Sequence, residues 1–212
     1  ALRENIPGKK YWLIFAAAFP FIAAWLLFGG FGLEPVASNK LGGILLTMVV
    51  AVTGISFSLP LGVALALGRR SKLPALRAIC VIFIEFIRGV PLITLLFVAS
   101  TMLTYFLPPG STFDLLLRVL IMVTLFAAAY IAEVVRGGLQ GLNSGQYEAA
   151  DALGLTYWQS NRLVILPQAL KISIPGIVNT FIGAYKDSTL VLIIGMMDIL
   201  GLGRARLNDP DW

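Results

Sequence analysis

The chain has 212 residues, of which 58% are hydrophobic and 13% charged, and a formal net charge of +5. A soluble domain carries roughly 25% charged residues, so about half the charge for a water-facing surface is present, and the composition reads as a helical integral membrane protein. There is no His and one Cys, Cys80, inside an apolar run. That excludes His-based acid–base catalysis, a Cys/His metal site and an intrachain disulfide, and no basic run carries the aromatic platform of a nucleic-acid binder.

The chain opens ALREN without an initiator Met and stops at NDPDW just past an apolar segment, which reads as a fragment. No small-residue cleavage site follows the first apolar run, so it is not read as a signal peptide. A bilayer core of ~30 Å needs about 20 mostly apolar residues at 1.5 Å rise, and five stretches meet that length. The first is 11–30, with Tyr11, Trp12 and Trp25 as interfacial anchors. The second is 41–68, uncharged between Lys40 and Arg69, with a bend expected at Pro60. The third runs from about 77 to 107, the fourth from about 115 to 137 and the fifth from about 173 to 197.

Basic residues orient these spans. Arg3, Lys9 and Lys10 precede the first; Arg69, Arg70, Lys72 and Arg77 separate the second from the third; Arg136, Arg162 and Lys171 separate the fourth from the fifth. The alternate connections hold only Glu34, Lys40 and Asp114. Short connections rich in Lys and Arg stay in the cytoplasm, so the N-terminus and the loop 138–172 are expected inside. Arg204 and Arg206 fall on the outer side against this trend and suit a connection to a further span.

The loop reads GLNSGQYEAADALGLTYWQSNRLVILPQALK over 141–171. Asn143 or Ser144 can cap a helix, with Glu148 early enough to meet the favourable end of its dipole. Ala149, Ala150 and Ala152 favour helix, and Gly154 suits the left-handed residue after a helix end. Thr156 and Gln159 form a capping box for a second helix, which Pro167 should limit or kink. The expectation is two short helices meeting at Gly154, either as a plain interfacial hairpin or as a docking element. In the latter, the Ala face permits close approach, and Glu148, Asp151 and Arg162 offer charge at the rim.

Charges at mid-membrane cost about 2.5–3.5 kcal/mol each and face protein or water. Glu85 and Arg88 stand at i,i+3 and can pair, as can Glu133 and Arg136. Arg88 precedes Gly89 and Pro91, where the helix can break, so this stretch is a candidate gate. Lys186 and Asp187 point about 100° apart on a helix and cannot both face lipid. With Ser188 and Thr189 they form a polar patch expected at a translocation path or a subunit interface. The Gly pairs Gly42-Gly43 and Gly137-Gly138 lack the setting of a phosphate loop, so no ATP site and no cofactor are expected. Gly54 and Ser58, at i,i+4, suit close helix packing.

Glu148-Ala149-Ala150, then Gly154, then Val164-Ile165-Leu166-Pro167 resembles the EAA loop of permease subunits of bacterial ABC importers, with Val164 in place of the usual Ile. EFIRGVPLITLLF (85–97), AAYIAEVVRGGLQGL (128–142) and GAYKDSTLVLIIG (183–195) are similar to the polar amino-acid subfamily, close to general L-amino-acid or glutamate/aspartate/glutamine/asparagine permeases, although Val90 departs from its wording. The resemblance covers about 41–203. It implies an all-α type I importer permease at 41–212, truncated at its C-terminus, with 1–40 an accessory span and periplasmic loop.

It also implies that residues 148–154 form a coupling helix seated in an ATP-binding subunit, with Glu148, Ala149, Ala150, Asp151, Gly154, Arg162 and Pro167 in the coupling loop. The implied partners are cytoplasmic ATPase subunits, a periplasmic amino-acid-binding protein, and a second permease subunit, identical or, by preference, similar but non-identical. The setting is the bacterial inner membrane and its lipid bilayer. The remaining readings are an ATP-independent channel or carrier, an ABC permease for another small solute, and an intramembrane enzyme. The enzyme would rest on Glu85 and Glu133 with no His to assist.

Overall fold

The computed structural model describes residues 9–27, 29–32, 34, 37–102, 105 and 113–209; the side chains at 9–13, 16, 17 and 39 lie outside that description. Among the described residues, the secondary structure is helical apart from one bridge between Gly43 and Asp198. The helices are α1 (Lys9–Leu27), α2 (Gly43–Arg69), α3 (Pro74–Gly89), α4 (Leu92–Phe97), α5 (Leu115–Gln140), α6 (Ser144–Ala152), α7 (Tyr157–Ser160), α8 (Leu166–Asp187) and α9 (Ile199–Leu207).

Three stretches are long and apolar enough to cross a membrane alone: Gly43–Arg69, Leu115–Gln140 and the continuous Tyr157–Ile194. The expected third span is instead two helices, Pro74–Gly89 and Leu92–Met102, which qualify only as a pair. The residue before a proline is pushed out of the α region, and Val90 is extended at φ −110°, ψ 132°, so the helix stops ahead of Pro91. The first expected span corresponds to α1, whose apolar stretch within the described residues is Ala18–Leu27. Of its expected anchors, Tyr11 and Trp12 lie outside the described side chains, whereas Trp25 is exposed and meets the Phe31 ring edge-on at 4.4 Å. Helix α2 runs on through Pro60 without interruption, a proline that buried transmembrane helices tolerate.

The chain divides into two compact units. The first comprises 1–56, 92–124 and 184–212. Leu46, Val50, Leu96, Val119, Val123 and Val191 fill its core. Gly54 lets α2 approach α5: a Cβ there would lie 3.0 Å from a Val123 methyl. The entry into α9 is stitched to the start of α2. The Gly43 N–H donates to the Met197 carbonyl at 2.8 Å, and the Ile199 N–H donates to the Thr47 hydroxyl at 3.3 Å.

The second unit comprises 57–91 and 125–183. Ala66, Ile84, Ile131, Val135, Leu139, Ile165 and Ala169 make its core. Small residues again set the helix spacing. Gly62 backs onto Ile131, and a Cβ at Gly138 would lie 2.5 Å from the Ala169 carbonyl oxygen. No other residue fits where α5 and α8 come this close.

Candidate functional site: the helical hairpin and the charge cluster

In the hairpin, Asn143 takes the cap. It is extended (φ −64°, ψ 137°), and its side-chain oxygen accepts from the Gly145 N–H at 2.9 Å. Helix α6 then runs nine residues to Ala152. Glu148 is its fifth residue, so it lies past the first turn, which holds no acidic residue. The dipole argument for its position therefore fails, because favourable N-terminal charge effects fade within one turn.

The helix ends in a Schellman motif. The Leu155 N–H donates to the Ala150 carbonyl at 3.2 Å, and the Gly154 N–H to the Asp151 carbonyl at 2.9 Å. Gly154 is left-handed at φ +67°, a conformation that a Cβ disfavours. The turn pushes Leu153 outward, 76% exposed, a feature that sequence reasoning misses.

Thr156 then starts α7, with the Gln159 side chain accepting from the Thr156 N–H at 2.9 Å. Pro167 does not limit this arm. A π turn at Asn161–Ile165, in which the Leu166 N–H reaches the Asn161 carbonyl, leads into α8, and Pro167 falls in the first turn of α8. Pro167 thus sits inside a helix that is continuous from Tyr157, and its missing N–H leaves one carbonyl of the preceding turn without a helical donor. The second arm of the hairpin is therefore continuous with the last span, which starts well before 173.

Glu148, Ala149, Asp151, Ala152, Leu153 and Gly154 are exposed, as are Arg162 and Pro167. Ala150 is not part of that face: it is 1% exposed and belongs to the packed side. Among the described residues, the side chains of Glu148, Asp151 and Arg162 form no hydrogen bond or ion pair, so their charge stays available to a partner. The opposite side of α6 is tied down by residues not singled out from sequence. The Tyr147 hydroxyl donates to the Leu139 carbonyl at 3.2 Å and accepts from Arg70 Nη1 at 2.8 Å, with that guanidinium 5.3 Å from the ring centroid. Gln168 Nε2 donates to Gln146 Oε1 at 2.8 Å.

The charge cluster also lies in the second unit. Glu85 and Arg88 do not pair with each other. Arg69, at the end of α2, takes Glu85 at 2.8 Å and also reaches Glu133 at 3.3 Å, while Arg88 approaches Glu133 at 3.6 Å. Arg69 supplies a nearer partner from another helix, a contact that spacing along one helix cannot reveal. The expected Glu133–Arg136 pair is present, with Arg136 Nε donating at 2.7 Å and Nη1 going on to Gln140 at 2.7 Å. Three arginines thus share two glutamates, and the cluster keeps one positive charge in excess. Arg88 lies over the Tyr130 ring at 5.6 Å, and its buried Nε has no partner among the described residues.

Lys186 and Asp187 belong to the first unit, at the end of α8. Lys186 is exposed and Asp187 half-buried, and neither forms an ion pair among the described residues. The fully buried Ser188 donates to the Tyr185 carbonyl at 2.7 Å, and Thr189 to the Lys186 carbonyl at 2.9 Å. Their hydroxyls therefore finish the helix end, where Ser188–Ile194 tightens into a 3-10 turn. Two further polar residues escape sequence reasoning. Arg118 is buried and donates to the Phe113 carbonyl at 2.8 Å and the Ser100 carbonyl at 3.0 Å, satisfying backbone beside the π turn of Val98–Met102. Asp198 is fully buried, and its Oδ1 accepts from the Gly201 N–H at 2.8 Å. An Arg inside an otherwise apolar span, and an Asp three residues before a Gly, are the available signals.

Among the described residues, no group of His, Cys, Asp and Glu is arranged to hold a metal ion. The family model of the binding-protein-dependent transport system inner membrane component matches residues 58–210. The chain is 59% identical over 208 residues to the glutamate/glutamine/aspartate/asparagine transport system permease protein BztC of Rhodobacter capsulatus, covering 98% of this chain and 48% of that protein. It is 52% identical over 204 residues to the inner membrane amino-acid ABC transporter permease protein YhdY of Escherichia coli, covering 96% and 56%. The chain thus spans about half the length of these curated relatives. Among solved structures, an amino acid ABC transporter crystallised with histidines superposes with TM-score 0.68 at 30% identity over 78% of this chain and 75% of that one. The inward-facing MetNI methionine ABC transporter shares the fold, with TM-score 0.59 at 23% identity over 98% and 87%. With the type I importer fold and the matched family model, the chain belongs to the inner membrane components of binding-protein-dependent transport systems.

Proposed function

We propose that the chain is the transmembrane part of an ATP-driven importer of polar L-amino acids in the bacterial inner membrane, with its N-terminus in the cytoplasm. The observation that carries this reading is the hairpin: an exposed face bearing Glu148, Asp151 and Leu153, with Arg162 nearby, on a helix anchored from behind by Tyr147 and Gln146. A partner ATPase that closes on ATP would take hold of this face. Because α6 is tied to α5 through Leu139 and to α8 through Gln168, its displacement passes into the spans instead of being absorbed by a slack loop.

In this reading hydrolysis belongs wholly to the partner, and this subunit does no chemistry. A periplasmic binding protein delivers the amino acid, and a second, similar permease subunit completes the path. Residues 41–212 are the importer domain and 1–40 an accessory segment. Glu85, Arg88 and Pro91 form a gate where the broken helix exposes its carbonyls, and Lys186, Asp187, Ser188 and Thr189 lie along the path or at the subunit interface. The polar amino-acid assignment rests on the names of the two relatives, one of which is a permease protein for glutamate, glutamine, aspartate and asparagine.

The test is co-purification with the ATPase encoded beside it, followed by amino-acid-stimulated ATP hydrolysis in liposomes. Glu148→Lys should abolish the stimulation. Labelling of residue 154 from the outer face, or stimulation unchanged in Glu148→Lys, would remove the reading.

A further inference from the structure

A groove of about 630 Å³ opens on the second unit, within the roughly 300–1,000 Å³ of sites that hold small organic ligands. Leu61, Ala64 and Leu67 of α2 and Leu76 and Cys80 of α3 make its walls almost wholly apolar. Gly68 keeps it deep, since a Cβ there would lie 2.5 Å from the Cys80 sulfur. Trp158 and Tyr157 line it too, 72% and 55% exposed, with their rings edge to face at 5.6 Å.

The basic turn between α2 and α3 forms part of the same groove. Ser71, Leu73 and Leu76 line it, which puts Lys72 between two lining residues and Arg77 directly after a third. Both cations are exposed, and neither has an ion pair among the described residues. Arg69 and Arg70, by contrast, are engaged by Glu85, Glu133 and Tyr147.

We propose that this groove holds an acyl chain of an anionic phospholipid whose phosphate rests on Lys72 and Arg77. An apolar trough, an aromatic pair and two free cations match the tail, the interface and the headgroup of such a lipid. An apolar protein helix in the same trough would leave both cations unmatched. The inference rests on placing the basic turn at a membrane surface, as the importer reading does.

The test uses the assembled transporter with brominated lipids as fluorescence quenchers, and Trp158→Phe to isolate the Trp158 signal from the other tryptophans. Brominated phosphatidylglycerol should quench that signal several-fold more effectively than brominated phosphatidylcholine. The double variant Lys72→Gln/Arg77→Gln should lose the preference, and Ala64→Phe, which fills the trough and spares the cations, should lose it as well. Equal quenching by the two lipids, or a preference surviving either variant, overturns the proposal. Quenching by neither lipid also overturns it, because protein then covers the groove. Amino-acid uptake measured on the same samples separates the two readings: uptake can fail while the lipid preference stands.

Discussion

At Glu133 one carboxylate meets Arg69, Arg88 and Arg136, whereas Glu85 holds Arg69 alone from a side chain that is 53% exposed. Their removal should therefore differ in cost. Glu133→Gln leaves Arg88 and Arg136 without a carboxylate and should lower stability by roughly 1.5–3 kcal/mol, the range for hydrogen bonds to charged groups. Glu85→Gln should cost about 0–1 kcal/mol, as an exposed pair does. Thermal unfolding of the detergent-purified assembly measures both, and equal losses would contradict the central place given to Glu133. Gly154 makes a second residue-scale case. Its φ of +67° costs an ordinary L-residue about 1–2 kcal/mol, and a β-branched one fits it worst. Gly154→Val should break the Schellman turn and abolish amino-acid stimulation of the ATPase, while Gly154→Asn should restore much of it, because Asn visits that region readily.

Helix α6 has two sides with different tasks. Its exposed side offers charge, and its buried side grips the bundle through Tyr147 and Gln146. Loss of the grip should leave docking intact and weaken transmission. Tyr147→Phe combined with Gln146→Ala is expected to retain ATPase binding in co-purification while reducing amino acid moved per ATP hydrolysed. Loss of binding and of transport in equal measure would mean that the buried side only holds the helix folded. The α5–α8 contact sets a stricter demand. Gly138 faces the Ala169 carbonyl with no room for a side chain, so Gly138→Leu should prevent accumulation of folded protein in the membrane, read by blot after detergent extraction.

At the scale of the molecule, the proposed path along the polar end of α8 is the part open to a direct test. Lys186 and Asp187 have no ion pair among the described residues, whereas the neighbouring hydroxyls are engaged with backbone. A charge inside a membrane span without a structural partner is costly, so within the importer reading the pair suits contact with a hydrated path or a substrate. Asp187→Asn and Lys186→Gln should each cut uptake of acidic and amide amino acids severalfold with assembly unchanged. Uptake in liposomes against co-purified ATPase gives the comparison, and wild-type rates in both variants would assign the patch a purely structural role.

Much of the fold and of the hairpin is legible along the chain, because it depends on neighbours in sequence. Apolar length sets the long helices, Asn143 and Gly154 mark the ends of α6, and the EAA-to-Pro167 spacing points to the family that the match over 58–210 establishes. The expectations that fail concern contacts between segments. Spacing along one helix matches Glu85 with Arg88, yet Arg69 is nearer. The Ala run puts Ala150 on the docking face, yet it is buried. Of the two readings of Pro167, a stop or a kink, the stop fails, because a π turn carries the helix past it. Local hydrogen bonds and hydropathy act over a few residues, so the sequence by itself determined which segments are helical, where they cap and that they suit a bilayer. Which guanidinium reaches which carboxylate, which side of α6 remains free, and how closely α5 and α8 approach were decided only by the tertiary structure, since packing joins residues whose separation along the chain carries no signal of their distance in space.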